Sequence, residues 1–298
     1  MKKRMLSLLI ALCMALSLMP VTAFADDGTG ILPEEVDGVI SLTEDVSITE
    51  DVSLDLTGKT INTNGYTIMV RSGVVSITGG TFVNDVTGEK GKDPHCILHV
   101  SDGAKLVIDG SVLESAGYQL LDVAGECEIK SASLECTVAC DAFDSCSMVA
   151  VYGESAKLTM LAGSIYMEDT TDPSSGMYGI YASEGATVVL GSEATHEGPT
   201  IESQFAAVGM NHDTSPASLT INGGSYTSLA KANNEWWKYF CGVLYLPGEG
   251  TATINGGEFH GGSYAISMPW ADADLTLTIN GGSFGTNDGD GILYYRSD

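Results

Sequence analysis

Apolar and polar residues alternate along most of the chain in short runs. The string Leu277-Thr278-Ile279 shows the pattern, and Asn280-Gly281-Gly282-Ser283-Phe284 follows it. A period of two places successive side chains on opposite faces of a strand, so that one face can be buried. No helical period is visible after the first 25 residues. The pattern therefore predicts an all-β protein with no substantial helix in the mature chain.

Copies of this string recur through the chain. The copies at 75–82, 219–226 and 252–259 are close, and weaker ones lie between them. Aligning all copies on their central residue gives separations of 21 to 33 residues, a range typical of solenoids. The aligned central residues are Ile77, Ile108, Ile129, Met160, Leu190, Ile221, Ile254 and Ile279.

Two further positions of the repeat are apolar in nearly every copy. The residue two places before the centre is always apolar, and the residue five places after it fails only in the Leu190 copy, where Thr195 stands there. A Gly pair between these positions can supply positive-φ backbone and close packing at a corner. Three copies carry an asparagine at the same corner site, so we expect their amides to hydrogen-bond along the axis: Asn222, Asn255 and Asn280.

A second apolar strand and a polar turn precede each centre, as at 97–104, 180–186 and 243–250. Strands joined by tight corners cannot pair within one turn, so their backbone groups must pair with the equivalent strand one repeat later. The sequence therefore predicts a parallel coil of about eight rungs, on the order of 40 Å long at the usual strand spacing.

The chain divides into four segments. Residues 1–25 have a basic start, an apolar run and a final Ala-x-Ala, the layout of a secretory signal peptide cleaved after Ala25. Residues 26–38 read as a flexible lead-in, and 39–74 as an N-terminal cap with the first strands. The coil is predicted over 75–298. Because 291–298 resembles the strand that normally precedes another copy, we expect an end that is open or truncated, continued by further rungs or domains or covered by a partner.

Charge and hydropathy bear on location. The formal net charge is −26, and without the signal peptide ten basic and 39 acidic residues remain, which gives −29. Such a chain repels nucleic acid and anionic lipid. No second apolar run reaches the length of a membrane span. We expect a secreted or cell-surface protein whose mature chain has no membrane span and binds no nucleic acid.

The T-I-N-G-G-x-F strings resemble those of right-handed parallel β-helix proteins with a pectate-lyase-like fold, in particular secreted and surface proteins of Gram-positive bacteria. The resemblance covers about 39–298 and implies a single-stranded right-handed β-helix; it specifies fold better than function because the strings are structural. Enzymes of this fold use calcium-binding carboxylates with a basic residue, or paired aspartates. Neither set is visible, and Asp272 and Asp274 are the remaining catalytic candidates.

The segment 233–240 interrupts the repeat within its longest interval and is rich in aromatic residues. Aromatic rings on a protruding loop can stack on sugar faces or anchor a protein partner. The alternative is that these rings fold back over the flank of the coil. The candidate binding residues are Trp236, Trp237, Tyr239, Phe240 and, at a later turn, Trp270.

Metal and cysteine chemistry give weaker signals. Asp288 and Asp290 alternate with glycine and could bind Ca²⁺, although an ordinary polar turn explains them as well. No other cofactor is predicted. The spacing of Cys136, Cys140 and Cys146 has no histidine nearby, which favours a Cys136–Cys146 disulfide over zinc. Cys127 falls in an inward column, as a buried thiol would, and the five histidines lack ligand spacing.

These observations favour an exported module without catalysis, in which a rigid coil presents loops for adhesion and binds a glycan or an extracellular or host protein. The alternative is a polysaccharide lyase or glycoside hydrolase acting on an acidic polysaccharide. Whether the chain is an enzyme stays open at this point.

Overall fold

The computed structural model describes residues 30–86, 96–116, 119–137, 147–167, 178–210, 215–229, 242–269, 274–286 and 291–295. Within these ranges the chain forms 27 strands and no helix. It therefore contains no described helix that could cross a membrane. The predicted all-β class is confirmed.

The strands lie in three parallel stacks, and each turn of the coil contributes one strand to each stack. The third stack forms a sheet of its own, made of β2 (Val46–Ile48), β5 (Ile68–Val70), β8 (Leu98–Val100), β10 (Leu121–Val123), β12 (Ser147–Tyr152), β15 (Tyr178–Ser183), β18 (Ala206–Met210), β21 (Gly242–Tyr245), β24 (Tyr264–Met268) and β27 (Gly291–Tyr295).

The first stack carries the central residues of the repeat. Its strands are β3 (Val52–Asp55), β6 (Val74–Thr78), the first halves of β9 (Lys105–Ser115) and β11 (Glu126–Cys136), β13 (Lys157–Met160), β16 (Thr187–Leu190), β19 (Ala217–Ile221), β22 (Gly250–Ile254) and β25 (Leu275–Ile279).

The second stack follows the corner. It contains β1 (Val39–Ser41), β4 (Thr60–Asn62), β7 (Thr81–Asn84), the second halves of β9 and β11, β14 (Ser164–Met167), β17 (Thr200–Ser203), β20 (Ser225–Ser228), β23 (Glu258–Gly261) and β26 (Ser283–Phe284). The long strands β9 and β11 join the first and second stacks into one sheet.

The register of the first stack follows the sequence repeat. Ile77 pairs with Ile108, which pairs with Ile129, and the same column continues to Ile279 without a slip. Leu54 extends the column one rung before the first predicted copy. Because the paired strands are parallel and each belongs to a different turn, the fold is a parallel β-helix, as predicted.

The unequal repeat lengths are absorbed at the corners. In the Leu190 copy the chain makes a detour, so that Ile201, not Thr195, pairs with Ile165 and Tyr226. The inward column of the second stack is therefore unbroken. At its later end the rings stack almost face to face, with centroids 5.0 Å apart for Tyr226 and Phe259 and 4.9 Å for Phe259 and Phe284.

The predicted amide ladder is confirmed. The side-chain amide of Asn280 donates to Oδ1 of Asn255 at 2.8 Å, and that of Asn255 donates to Oδ1 of Asn222 at 2.9 Å. Asn222 donates in turn to the carbonyl of Gly191 at 3.2 Å. Each corner is thereby tied to the preceding one by a side-chain hydrogen bond.

The two glycines of the corner have separate roles. In the copy at 219–226 only the second, Gly224, has a positive φ, at 111°. A Cβ on the first, Gly223, would overlap the carbonyl of His196 in the neighbouring corner. The second glycine therefore makes the turn, and the first allows close packing.

The two ends of the described coil differ. Leu32, which precedes β1, is buried and packs in the core with Ile40. In contrast, Ile279 is 46% exposed, and Ile292, Leu293 and Tyr295 of β27 are about half exposed. The core is thus covered at the first rung and accessible at the last described one.

Candidate binding surface

The aromatic residues predicted from the sequence as a binding loop, Trp236, Trp237, Tyr239, Phe240 and Trp270, lie outside the described residues, so that hypothesis stays a prediction. Asp288 and Asp290 also lie outside them. Within the described part of the chain no group of three or more His, Cys, Asp or Glu residues could hold a metal ion. The calcium hypothesis is therefore not supported by any described cluster.

The other candidates have ordinary surroundings. Asp274 is exposed, and its partner in the hypothesis, Asp272, lies outside the described residues. Cys136 ends β11 as a buried free thiol; Cys146 is not described, so their pairing stays a prediction. Cys127 is buried in the inward column, as predicted, and burial raises the pKa of its thiol to about 12. Neither of these two thiols is an activated nucleophile.

An aromatic surface lies on the outer face of the third stack. We define it by six residues, five tyrosines from β15, β21, β24 and β27 and a phenylalanine just before β18: Tyr178, Tyr181, Phe205, Tyr245, Tyr264 and Tyr294. Four of the rings are in mutual contact. Tyr178 lies 4.8 Å from Tyr181 and 5.2 Å from Phe205, and Phe205 lies 5.5 Å from Tyr245, measured between ring centroids.

These rings face outward because the strands of the third stack break simple alternation. Near the start of each later strand two successive residues point into the coil, as Ala207 and Val208 do in β18 and Val243 and Leu244 do in β21. Outward positions are consequently three residues apart, as Tyr178 and Tyr181 are in β15. Regular alternation would place outward side chains two residues apart, so it does not predict that both of these tyrosines face outward.

A glycine beneath the rings allows one of them to approach the strand closely. Gly209 pairs with Tyr181, and a Cβ at Gly209 would come within 2.5 Å of Cδ1 of Tyr178. Gly209 pairs on its other side with Tyr245. Tyr178 and Phe205 are buried within this cluster, whereas Tyr181, Tyr245, Tyr264 and Tyr294 are half-buried. The surface therefore combines buried rings with partly exposed ones.

The environment keeps the phenol of Tyr178 neutral. Burial raises the pKa of Tyr178 well above its ordinary value, and the neighbouring Tyr245 and Tyr181 add to the effect. A neutral phenol both donates and accepts hydrogen bonds. The surface can therefore contact a ligand through ring faces and through hydroxyl groups.

A polar group continues the same outward column toward the start of the coil. His99, Asp122 and Ala150 occupy consecutive rungs of the column that leads to Tyr181. Nδ1 of His99 lies 2.8 Å from Oδ2 of Asp122, and the hydroxyl of Tyr152 donates to the same oxygen at 3.0 Å. We call His99, Asp122 and Tyr152 the polar triad. The sequence does not point to it because the interval from His99 to Asp122 is one full turn of the coil.

Comparison with protein-family models, with curated proteins and with solved structures found no match to this chain. The candidate surface therefore rests on geometry and chemistry alone.

Proposed function

We propose that the protein is an exported, non-catalytic β-helix module that binds a glycan through the aromatic surface. The observation that carries the proposal is the set of six aromatic residues on the outer face of one sheet, four of them partly exposed. Ring faces stack on the apolar faces of sugars, and the hydroxyl of tyrosine can bond to sugar hydroxyls. Tyrosine suits this task better than aliphatic residues, which offer no polar group.

Rigidity supports the proposal. The rings stand on strands whose backbone is paired to neighbours in register, so little conformational entropy remains to be lost on binding. In the sequence, the predicted aromatic segment 236–240 lies just before β21, the strand that carries Tyr245. This connection favours one binding region over two.

Location and family belong to the same proposal. The signal peptide predicted for residues 1–25 and the resemblance to surface β-helix proteins of Gram-positive bacteria support export to the cell surface or the medium. The acidic composition of the chain, with a net charge of −26, disfavours anionic polymers as ligands. An uncharged glycan is therefore the favoured ligand class, and calcium is not required for this mode of binding.

A glycan array followed by calorimetry tests the proposal on the mature chain. We expect Tyr245→Ala to lower the affinity for the best ligand by about tenfold or more, because truncated aromatic contacts at binding centres commonly cost that much. Tyr166→Ala is the matched control, since Tyr166 is 39% exposed on the outer side of the second stack, away from the surface. Its affinity should equal that of the wild type.

The outcomes separate the competing functions. Unchanged glycan binding by Tyr245→Ala would remove the aromatic surface from the proposal. Binding to an extracellular protein, with no glycan bound, would replace the ligand class. Release of unsaturated or reducing ends from pectin or glucuronan would favour the polysaccharide lyase or hydrolase alternative and contradict the absence of catalysis.

A further inference from the structure

The carboxylate of the polar triad is only partly engaged. Oδ2 of Asp122 receives hydrogen bonds from both His99 and Tyr152, whereas Oδ1 has no hydrogen-bond partner among the described residues. The side chain of Asp122 is 17% exposed and that of His99 22% exposed. A held carboxylate with one free oxygen can accept hydrogen bonds from a ligand without reorganising.

The partners of Asp122 fix its position. Since a carboxylate only accepts, Nδ1 of His99 must carry the proton of their hydrogen bond. Tyr152 is on β12, two residues after Ala150 of the outward column. Its hydroxyl donates a hydrogen bond to Asp122 in the preceding rung. Burial, followed by the charge of Asp122 and this hydrogen bond, raises the pKa of Tyr152. The phenol therefore stays a donor at physiological pH.

The triad and the aromatic surface belong to one face. Asp122 pairs with Ala150, and Ala150 pairs with Tyr181. Two rungs correspond to about 10 Å along the axis. A ligand that reaches both parts must be an oligosaccharide, because a single sugar ring does not cover that length. Among the described residues of this column, only the small side chain of Ala150 lies between them.

We propose that the polar triad is the polar end of the glycan-binding surface, where Oδ1 of Asp122 accepts hydrogen bonds from hydroxyl groups of an uncharged oligosaccharide. The inference rests on the proposed function and deepens it. Binding sites of this kind combine apolar contact with a few placed polar groups that fix orientation. Asp122 contacts the sugar, and His99 and Tyr152 are positioning residues that hold Asp122. A uronic acid at this position would place two carboxylates together and be rejected.

The test uses the mature chain and the oligosaccharide that the wild type binds best, together with monodeoxy analogues of it. Asp122→Asn should lower affinity about tenfold or more, and it should reduce the discrimination against one deoxy analogue, because that hydroxyl loses its acceptor. Tyr152→Phe should cause a smaller loss. His99→Gln, which keeps a donor, should retain more affinity than His99→Leu.

The matched control is Asp102→Asn. Asp102 is exposed at a turn and accepts a hydrogen bond from Ser155 at 2.6 Å, outside the outward column. Its affinity and selectivity should equal those of the wild type. Circular dichroism and the unfolding midpoint establish that each variant is folded before its binding is interpreted.

The results distinguish this inference from the proposed function. If Tyr245→Ala weakens binding while Asp122→Asn keeps the affinity and selectivity of the wild type, the polar triad is not part of the site and only this inference is overturned. If the wild type binds no glycan, both are overturned. Preference for a uronic acid polymer over neutral oligosaccharides also contradicts the role given to Asp122.

Discussion

Asn255 is the middle member of the amide ladder and makes hydrogen bonds to the corners on both sides of it. Replacing it with alanine leaves Oδ1 of Asn222 without its donor and the amide of Asn280 without its acceptor. We expect Asn255→Ala to reduce the free energy of unfolding by about 1–3 kcal/mol, the sum for two such bonds in a part-buried site. Urea denaturation followed by circular dichroism measures the change.

Asn280→Ala provides the comparison. Asn280 is exposed and makes only the single ladder bond to Asn255, so its removal should cost less than about 1 kcal/mol. If both variants lose the same free energy of unfolding, the two ladder bonds of Asn255 contribute no more than the single exposed bond of Asn280.

The three described cysteines are predicted to be unreactive in the folded protein. Burial raises the thiol pKa of Cys96 and Cys127 to about 12 and that of Cys136 above the usual range. Because only the thiolate reacts, roughly one thiol in ten thousand at Cys127 would be ionised at pH 8. Iodoacetamide labelling with peptide mapping should leave all three unmodified in the native protein and should modify Cys96 and Cys127 in denaturant.

The same labelling bears on the predicted disulfide. If Cys136 is modified in denaturant without reductant, it is not paired with Cys146, and the disulfide prediction is wrong. Modification only after reduction would support the pair. Rapid labelling of Cys127 in the native protein would instead contradict the packing of the inward column.

Corners are the elements on which the coil depends, and Gly163 shows why. It adopts a φ of 106°, and a Cβ there would overlap the backbone carbonyl of Ala132 in the preceding rung. Gly163→Ala therefore combines an unfavourable backbone conformation with a clash that only displaced rungs can relieve. We expect its midpoint of urea unfolding to fall well below that of the wild type.

Gly103→Ala isolates the conformational part of that cost. Gly103 has a φ of 76°, but a Cβ there would meet nothing within 4 Å. Its loss should be about 1 kcal/mol, and Gly163→Ala should lose at least about 2 kcal/mol more. Similar midpoints for the two variants would mean that neighbouring corners are not in close contact.

The sequence was sufficient for the first and second stacks because their alternation is regular. The column of Ile77 and its equivalents is apolar in every copy, and each pairing it predicts is present. The one failure, at Thr195, arose because an insertion shifts Ile201 into the column. An alignment that counts a fixed number of residues from the central residue of each copy cannot predict an insertion after which the chain returns to the same register.

The candidate surface could not be predicted in the same way. In the third stack, adjacent inward residues such as Ala207 and Val208 disturb the period of two, so that the outward faces of Tyr178 and Tyr181 are not evident from alternation. The contact of His99 with Asp122 depends on the register between turns of unequal length. These features depend on how neighbouring rungs pack against each other, which cannot be predicted from the alternation within one strand.

At the scale of the whole molecule, the rungs should differ in local stability. Strands β9 and β11 have neighbours on both sides and a buried core, whereas β25 and β27 carry the exposed apolar residues Ile279 and Leu293. In repeat proteins stability is approximately a sum of neighbour interactions, so rungs with fewer neighbours open more often. Hydrogen exchange by mass spectrometry should show at least about tenfold slower exchange in 105–136 than in 275–295, after correction for intrinsic rates.

The opposite result is also informative. Equal protection across the coil would mean that it opens as one cooperative unit, and the gradient expected from nearest-neighbour stability would be wrong.

The detour between Gly191 and Thr200 has a practical consequence. Extra residues enter at a corner, yet Leu190 before them and Ile201 after them hold the same register as their neighbours. The coil can thus accommodate foreign sequence at this point without transmitting the change to its core. A peptide epitope grafted into 193–195 would be displayed at a fixed height on a rigid rod, and spacing between two such grafts could be set in steps of one strand separation, about 4.8 Å.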